Sequence, residues 1–298
     1  MKQLHGVFAP VVTTFYRESG EVDVASFAAN IRAHLTAGMS GIVVTGSTGE
    51  AALLDNDERS ALTDAAREMV PRDKVLLIGT GAESTRTCLK LTRDAASRGA
   101  DGVLVVAPHY YGSAMNDAAL RAHYLRVADV SPVPVVLYSI PKYMHFPLSA
   151  ALVAELAQHP NVIGIKDSSG NLEILKGYVR AQSDSFTVIT GNATTFHGAL
   201  EAGARAGILA AALFAPTLSL DVYEACQRGD ESAATAAQSR LAPLGSKIVG
   251  DLGVPGVKAA MDQVGLAGGP VRAPLTVLNE EQLAAVAQLM QSAELVAA

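Results

Sequence analysis

The segment Val162-Ile-Gly-Ile-Lys-Asp-Ser-Ser-Gly170 places one lysine directly after a mostly apolar run and just before small polar residues and glycine. An apolar run of this kind is typical of a buried parallel strand, which here would deliver a lysine to its carboxyl end. In parallel α/β proteins, the carboxyl ends of the strands carry the chemistry. The sequence therefore predicts that Lys166 lies at a functional site.

Lys166 by itself has two interpretations. If its aliphatic stem lies in an apolar wall, the ammonium form is destabilised, and the free amine becomes available as a nucleophile toward ketones. If the residue lies at the rim of the sheet, its charged end extends into water, which is the usual state of a lysine. The rest of the chain has to decide between the two.

Seven other short runs of apolar and β-branched residues resemble the one before Lys166, and amphipathic stretches separate them. Eight successive βα units predict an α/β fold of the (β/α)8 TIM barrel type. A doubly wound sheet would need fewer units and usually a glycine-rich first loop, which is absent. The predicted strands are Val7–Thr13, Gly41–Val44, Val75–Ile78, Gly102–Val106, Val133–Tyr138, Val162–Lys166, Thr187–Ile189 and Gly207–Leu209.

Residues 1–225 form the predicted barrel, and residues 226–298 form a C-terminal helical appendage packed on it. Asn279 and Gln282 have the spacing of a capping box at the start of the last helix. No linker rich in Pro, Ser or Gly separates the appendage, so we expect a single unit. The predicted helices of the appendage are Ser232–Ile248, Val257–Val264 and Glu280–Ser292.

Composition excludes several classes of protein. Hydrophobic residues make up 49% of the 298 residues and charged residues 17%, which indicates a well-formed core. The net charge is −6 and no Lys/Arg cluster stands out, so we expect no nucleic acid or anionic membrane as a partner. No apolar run of about 18 residues occurs, so we expect neither a signal peptide nor a membrane span.

The cysteine and histidine patterns predict no metal or organic cofactor. Cys88 and Cys226 lack CxxC spacing, which indicates buried core thiols in a cytoplasmic protein. The seven histidines are scattered, and we expect none to have a ligand partner at helical spacing. Neither a P-loop nor a dinucleotide-binding glycine motif is present.

Polar side chains follow other predicted strands as well. Thr45-Gly-Ser-Thr-Gly-Glu50 offers hydroxyls and free amides that suit a carboxylate, although turns favour such residues for conformational reasons alone. Ala107-Pro-His-Tyr-Tyr-Gly112 carries adjacent tyrosines that could bind a ligand or form a subunit contact. Tyr138 is predicted at the level of Lys166, where it is either a core tyrosine or a phenol that exchanges protons with the amine.

Three of these segments, Gly46-Ser-Thr-Gly-Glu50, Tyr138-Ser-Ile-Pro141 and Gly164-Ile-Lys-Asp167, resemble signatures of the dihydrodipicolinate synthase / N-acetylneuraminate lyase family. The resemblance extends from Gly6-Val-Phe-Ala-Pro-Val-Val-Thr-Thr-Phe15 to Gly253-Val-Pro-Gly-Val-Lys258, with order and spacing retained. Members of this family are (β/α)8 barrels with a C-terminal helical appendage. They form a Schiff base between a lysine and pyruvate or another 2-oxo acid, without a metal or organic cofactor.

The resemblance implies four catalytic residues. Lys166 would be the Schiff-base amine, and Tyr138 would be the proton relay that also touches the bound carboxylate. Ser47 occupies the position of a Thr or Ser in the proton-relay triad of the family. Tyr111 occupies the position at which a neighbouring subunit lends a tyrosine, which implies a homo-oligomer, either a dimer or a tetramer.

The resemblance also implies residues that bind the substrate. The amides of Ser47 and Thr48 would hold the carboxylate of the 2-oxo acid. Gly191 and Ile208 match backbone positions that line the pyruvate pocket. The partners implied are therefore pyruvate and an aldehyde.

Two departures separate this chain from named members of the family. Dihydrodipicolinate synthases carry an arginine after the Tyr-x-x-Pro segment that holds the carboxylate of the aldehyde substrate. Here that position is Tyr143, with only Lys142 and His145 nearby as substitutes. Sialic acid lyases carry acidic residues after the glycine of the seventh strand, where this chain has Thr190-Gly-Asn-Ala-Thr-Thr195.

Other segments look most like 4-hydroxy-2-oxoglutarate aldolases, and are similar to 2-keto-3-deoxy sugar acid aldolases. This resemblance implies cleavage of a 4-hydroxy-2-oxo acid to pyruvate and an aldehyde, with Ser168 holding the distal part of the substrate. The alternatives are 4-hydroxy-tetrahydrodipicolinate synthase activity on aspartate semialdehyde and an inactive barrel that acts as a 2-oxo acid sensor or scaffold. The segments are Glu83-Ser-Thr85, Pro132-Val-Pro-Val-Val-Leu-Tyr-Ser-Ile-Pro141, Lys166-Asp-Ser-Ser-Gly170 and Gly268-Gly-Pro-Val-Arg-Ala-Pro274.

Overall fold

Eight parallel strands follow one another around a closed barrel in the computed structural model, which describes residues 4–297. Each strand pairs with its neighbours in sequence, and the first pairs with the last. The predicted (β/α)8 TIM barrel is therefore confirmed. The strands are β1 Gly6–Pro10, β2 Gly41–Val44, β3 Val75–Gly79, β4 Gly102–Val106, β5 Val135–Ser139, β6 Val162–Asp167, β7 Thr187–Thr190 and β8 Ala206–Ile208.

Hydrogen bonding fixes strand ends that apolar character alone does not. β1 was predicted to reach Thr13 but ends at Pro10, and the Thr13 hydroxyl instead donates to the carbonyl of Gly49 at 2.7 Å. β5 begins later than predicted, at Val135, because Pro134 has no N–H to donate to a neighbouring strand. The other six strands differ from the prediction by at most one residue at either end.

Helices connect the strands and cover the outside of the barrel. Their starts follow local capping rules: Asp55 and Glu58 form a capping box at α2, and the Ser84 side chain accepts the Thr87 amide at α3. The helices up to the end of the barrel are α1 Val24–Thr36, α2 Asn56–Met69, α3 Thr85–Ser97, α4 Asp117–Val130, α5 Pro141–Met144, α6 Ala150–Leu156, α7 Leu172–Val179, α8 Phe196–Glu201 and α9 Pro216–Arg228. The predicted boundary after residue 225 falls in the last turn of α9.

The C-terminal appendage consists of α10 Glu231–Pro243, a π-helix Leu244–Asp251, α11 Gly253–Gln263 and α12 Glu280–Ser292. The predicted helix Ser232–Ile248 is thus wrong in part, because its end is a π-helix. The change falls directly after Pro243, which cannot donate a backbone hydrogen bond and so favours a break in the regular ladder. The capping box of Asn279 and Gln282 is present as predicted.

Burial differs between the two cysteines. Cys88 on α3 is buried, as predicted, and burial raises the pKa of its thiol to about 12. Cys226 on α9 is only partly buried, so its prediction as a core thiol is wrong. None of the helices among residues 4–297 is long and apolar enough to cross a lipid bilayer.

Candidate active site

Lys166 and Tyr138 lie opposite each other on neighbouring strands, β6 and β5. Only 5% of Lys166 and 4% of Tyr138 is exposed, so the lysine does not extend into bulk water. Its Nζ lies 4.3 Å from the centroid of the Tyr138 ring. The two residues were predicted at one level of the barrel, and the strand register confirms this.

Gly191 follows β7 and lets the backbone approach these side chains closely. A methyl group at this position would lie 2.7 Å from Lys166 Cε and 2.0 Å from Ser168 Oγ. Because a Cβ atom cannot come so close to either, the observed placement of both side chains requires glycine here.

The loop after β2 leaves two backbone amides available for a ligand. The carbonyls of Gly46 and Ser47 accept the amides of Gly49 and Glu50, at 3.1 and 3.2 Å respectively, and so close the turn. Among residues 4–297, no hydrogen bond takes the amides of Ser47 and Thr48. Adjacent free amides of this kind form a concave site for an anion such as a carboxylate.

A cavity of about 120 Å³ brings these elements together at the carboxyl ends of the strands. Seven of the eight site residues predicted from the sequence line it: Ser47, Thr48, Tyr138, Lys166, Ser168, Gly191 and Ile208. The appendage contributes Val249, Val254 and Val257 to the lining of the cavity. These three valines were missed because their place over the barrel depends on how the appendage packs.

Tyr111 is the predicted site residue that does not line this cavity. It is 69% exposed, and its neighbour Tyr110 is 77% exposed, with the ring centroids 5.0 Å apart. The carboxylate of Glu83 accepts the amides of His109 and Tyr110 at 2.9 and 2.8 Å, which fixes the loop. The structure therefore presents both phenols outward on an anchored loop, away from Lys166 of the same chain.

The segment after Tyr138 contains no arginine, and the side chains that could replace one are placed differently. Lys142 lines the cavity, but its Nζ donates to the carbonyl of Gly250 in the π-helix at 2.6 Å. His145 ends α5 in the left-handed conformation and does not line the cavity. Tyr143 lines both this cavity and an adjoining one of about 970 Å³, and burial raises the pKa of its phenol.

Asn192 lines the cavity and was not among the predicted site residues, although it directly follows Gly191. Its side-chain oxygen accepts the amide of Thr194 at 2.9 Å, which leaves the side-chain nitrogen as a donor. Together with Ser168 it gives this part of the cavity neutral hydrogen-bonding groups. The sequence signal was its position two residues after the end of β7.

A cluster of possible metal ligands lies outside the cavity. His197 and Glu201 are four residues apart on α8, and Glu231 begins α10. The Nε2 atom of His197 lies 3.9 Å from a carboxylate oxygen of Glu201 and 3.4 Å from one of Glu231. The expectation that no histidine has a ligand partner at helical spacing is therefore wrong for His197. None of the three lines the Lys166 cavity.

Comparison with known proteins places the chain in a family. The profile of the dihydrodipicolinate synthetase family matches residues 3–293. A 4-hydroxy-tetrahydrodipicolinate synthase from Methanoculleus marisnigri is 37% identical over 277 residues, which cover 92% of this chain and 94% of the relative.

Solved structures give the same result. YagE from E. coli, a prophage protein belonging to the dihydrodipicolinic acid synthase family and solved in complex with pyruvate, is 31% identical, with a TM-score of 0.92 and coverage of 98% and 99% of the two chains. The chloride-inhibited dihydrodipicolinate synthase from Acinetobacter baumannii, also in complex with pyruvate, is 28% identical, with a TM-score of 0.93 and coverage of 99% and 100%. The chain therefore belongs to the dihydrodipicolinate synthetase family of class I, Schiff-base-forming enzymes.

Proposed function

We propose that this chain forms a Schiff base between Lys166 and pyruvate, and uses it to make or break the bond between the methyl carbon of pyruvate and an aldehyde carbon. The observation that carries the proposal is the buried contact between Lys166 and Tyr138, at the carboxyl ends of neighbouring strands. The pyruvate complexes of two similar structures support the choice of the 2-oxo acid.

The chemistry of the site follows from this contact. The Lys166 amine attacks the carbonyl carbon of pyruvate, water leaves, and the protonated imine becomes an electron sink. The sink accepts the electron pair when a methyl proton is removed or when the neighbouring carbon–carbon bond breaks. Tyr138 would carry the proton to and from the aldehyde oxygen, assisted by Ser47, which lines the same cavity. The free amides of Ser47 and Thr48 would hold the carboxylate.

The named relatives favour condensation as the finer assignment. The Methanoculleus marisnigri protein is named 4-hydroxy-tetrahydrodipicolinate synthase, and it is similar along nearly the whole chain. In this candidate function, the pyruvate enamine on Lys166 attacks aspartate semialdehyde.

One observation favours the cleavage of a 4-hydroxy-2-oxo acid as a second candidate. Tyr143 replaces the arginine expected of a synthase, and Lys142 and Lys166 are the only cations lining the cavity among the described residues. Lys142 has one of its three donors bonded to a carbonyl, and the other distal groups, including Ser168 and Asn192, are neutral. Such groups suit substrate hydroxyls, so a 2-keto-3-deoxy sugar acid fits better than 4-hydroxy-2-oxoglutarate.

The test of the shared chemistry is reductive trapping. Borohydride added with pyruvate should inactivate the protein and add one stable mass increment to the peptide that contains Lys166. Lys142, the other lysine at the cavity, provides the internal comparison. An adduct on Lys142, or no adduct at all, contradicts the proposal and favours a sensor or scaffold without a reactive amine.

The two finer candidates are separated by a parallel assay. Condensation with aspartate semialdehyde would be measured beside cleavage of 2-keto-3-deoxygluconate, 4-hydroxy-2-oxoglutarate and N-acetylneuraminate. Tyr143→Arg is the matched variant, because it restores the guanidinium of the synthases. If cleavage is the native activity, this change should lower cleavage and raise condensation. If the unaltered chain already condenses aspartate semialdehyde efficiently, the second candidate is wrong.

A further inference from the structure

A buried ion pair lies behind the loop that carries Ser47 and Thr48. The side chains of Glu50 and Lys258 are 0% and 2% exposed, and Lys258 Nζ lies 2.5 Å from Glu50 Oε1. The same Nζ donates to the carbonyl of Pro270 at 2.7 Å. The pair therefore connects the loop after β2 to α11 of the appendage.

Both oxygens of the Glu50 carboxylate are engaged. The backbone amide of Arg272 donates to Oε2 at 2.8 Å, while Oε1 contacts Lys258. The guanidinium of Arg272 is itself fixed, because it pairs with Glu58 of α2 at 2.5 Å and lies 4.3 Å from the centroid of the Phe15 ring. Glu50 is thus held by a connected network.

The loop between these contacts is strained at both ends. Thr45 and Glu50 have φ angles of 51° and 56°, in the left-handed region that favours glycine. Such conformations persist where surrounding contacts enforce them. The Thr45 hydroxyl lies 2.9 Å from the carbonyl of Gly79, and Glu50 is fixed by its carboxylate. The amides of Ser47 and Thr48 therefore stand between two anchored residues.

Lys258 also belongs to the helix that covers the Lys166 cavity. Val254 and Val257 of α11 line that cavity, whereas the side chains of Glu50 and Lys258 do not. Burial lowers the pKa of the Lys258 ammonium, and the Glu50 carboxylate opposes this shift. Glu50 therefore stabilises the charged form of Lys258. The ion pair consequently connects the loop that carries the free amides of Ser47 and Thr48 to α11, which lines the Lys166 cavity.

We propose that Glu50 and Lys258 are positioning residues, whose ion pair fixes the amides of Ser47 and Thr48 relative to Lys166 so that the pyruvate carboxylate is held for imine formation. This inference rests on the proposed function, because the carboxylate in question is that of the 2-oxo acid. Neither residue touches the substrate. Both act through the loop.

The experiment compares single and double variants. Glu50→Gln and Lys258→Met each leave one buried charge without its partner, so both should unfold at a lower temperature. The double variant removes both charges at similar volume, and should regain most of the lost Tm. We expect it still to form the Lys166 adduct, but to need about tenfold or more pyruvate for half-maximal trapping, since a hydrogen bond to a charged group contributes at least that factor.

A matched control uses an ion pair at the opposite end of the barrel. Arg67 and Asp101 lie 3.2 Å apart, with side chains 9% and 18% exposed, near the end of α2 and just before β4. The double variant Arg67→Met/Asp101→Asn should change Tm without changing the pyruvate concentration for half-maximal trapping. This separates a general loss of stability from an effect on the loop.

The outcomes distinguish the inference from the proposed function. If the Glu50→Gln/Lys258→Met protein traps pyruvate at the wild-type concentration, the positioning role is wrong. If the unaltered protein forms no Lys166 adduct, the proposed function fails instead. Glu50→Asp covers the case of a double variant that does not fold. It keeps the charge but withdraws the carboxylate, and it should raise the pyruvate requirement. An unchanged requirement would refute the inference.

Discussion

Lys166 is buried, and it lines the cavity, where its amine is available to a ligand. Its nitrogen lies over the face of the Tyr138 ring, which excludes water from that side of the amine. Gly191 also lies close to the side chain, because a Cβ atom added to it would come within 2.7 Å of Lys166 Cε. The amine is thus flanked by Tyr138 on β5 and by Gly191, which directly follows β7.

Removal of the Tyr138 hydroxyl tests the proton relay. Tyr138→Phe keeps the ring beside Lys166, so the barrel should fold and the imine should still form. We expect kcat to fall by about 10²- to 10⁴-fold, the usual contribution of a general acid–base group. Steady-state kinetics with borohydride trapping as the control would measure this, and near wild-type turnover would show that another group moves the proton.

Gly191→Ala tests whether backbone approach positions the amine. The added methyl group would overlap Lys166 Cε and Ser168 Oγ, so the lysine must move. We expect trapping by pyruvate to slow on the order of 10- to 100-fold, as is usual when a reacting group is misplaced. Gly191→Ala/Ser168→Ala is the matched control, because it relieves only the contact with the hydroxyl. Trapping at the wild-type rate in the single variant would contradict this view.

At the level of elements, the packing of helices and strands buries groups that titrate. His34 on α1 and His123 on α4 are buried, and within residues 4–297 each leaves Nε2 without a hydrogen-bond partner. Burial lowers the pKa of each imidazole from 6.5 to about 4. Asp167 at the end of β6 is affected in the opposite direction, since burial raises its pKa from 3.8 to about 6.

These shifts predict how stability depends on pH. Between about pH 6.5 and 4 the unfolded chain binds protons at His34 and His123 before the folded protein does, so acidification destabilises the fold. The folded protein binds a proton at Asp167 first, which offsets part of the loss below about pH 6. The effect of the two histidines is larger than that of the one aspartate. We therefore expect the free energy of unfolding to fall by on the order of 3 kcal/mol from pH 7 to pH 4.

Denaturant unfolding at several pH values measures this dependence. His34→Leu should make the free energy of unfolding depend less steeply on pH between 6.5 and 4, because it removes one of the two histidines. Asp167→Asn should steepen the slope, because it removes the opposing group. If all three proteins show the same slope, the buried histidines do not determine the acid sensitivity of the fold.

At the scale of the whole molecule, residues of both the barrel and the appendage line the site. The exposed Tyr111 lies outside the cavity of its own chain, where it could reach a second copy. Tyr110 and Tyr111 are large aromatic residues exposed on an anchored loop, as is usual at protein–protein contacts. We propose a homo-oligomer in which Tyr111 enters the site of a neighbouring subunit.

Subunit mixing tests this assembly. Tyr111→Phe and Lys166→Ala would be purified as inactive proteins, mixed, and allowed to exchange subunits. If Tyr111 acts across the interface, a mixed dimer contains one site with both native residues, and partial activity should return. If it acts within its own chain, every site lacks one group and activity stays low. Demonstrated exchange without recovery would refute the shared site and leave the chemistry of Lys166 untouched.

The sequence by itself predicted the barrel and the strand ends that carry Lys166, Tyr138 and Ser47, whereas the family resemblance supplied Ser168, Gly191 and Ile208 as further residues of the cavity. Apolar runs separated by amphipathic stretches encode strands and helices locally, and eight such units without a glycine-rich first loop favour the closed barrel that is observed. Parallel strands deliver the residues at their carboxyl ends to the same edge. The positions of Lys166, Tyr138 and Ser47 therefore followed from where their strands end.

Only the tertiary structure decided which distant residues meet. Glu50 and Lys258 belong to different elements far apart in the chain, and each is polar enough to be expected at the surface. Their pairing depends on how α11 packs over the barrel. The proximity of His197 and Glu231 likewise depends on how α10 packs beside α8. Periodicity describes a residue and its near neighbours, whereas burial of a charge depends on what covers it, and that is set by the packing of whole elements.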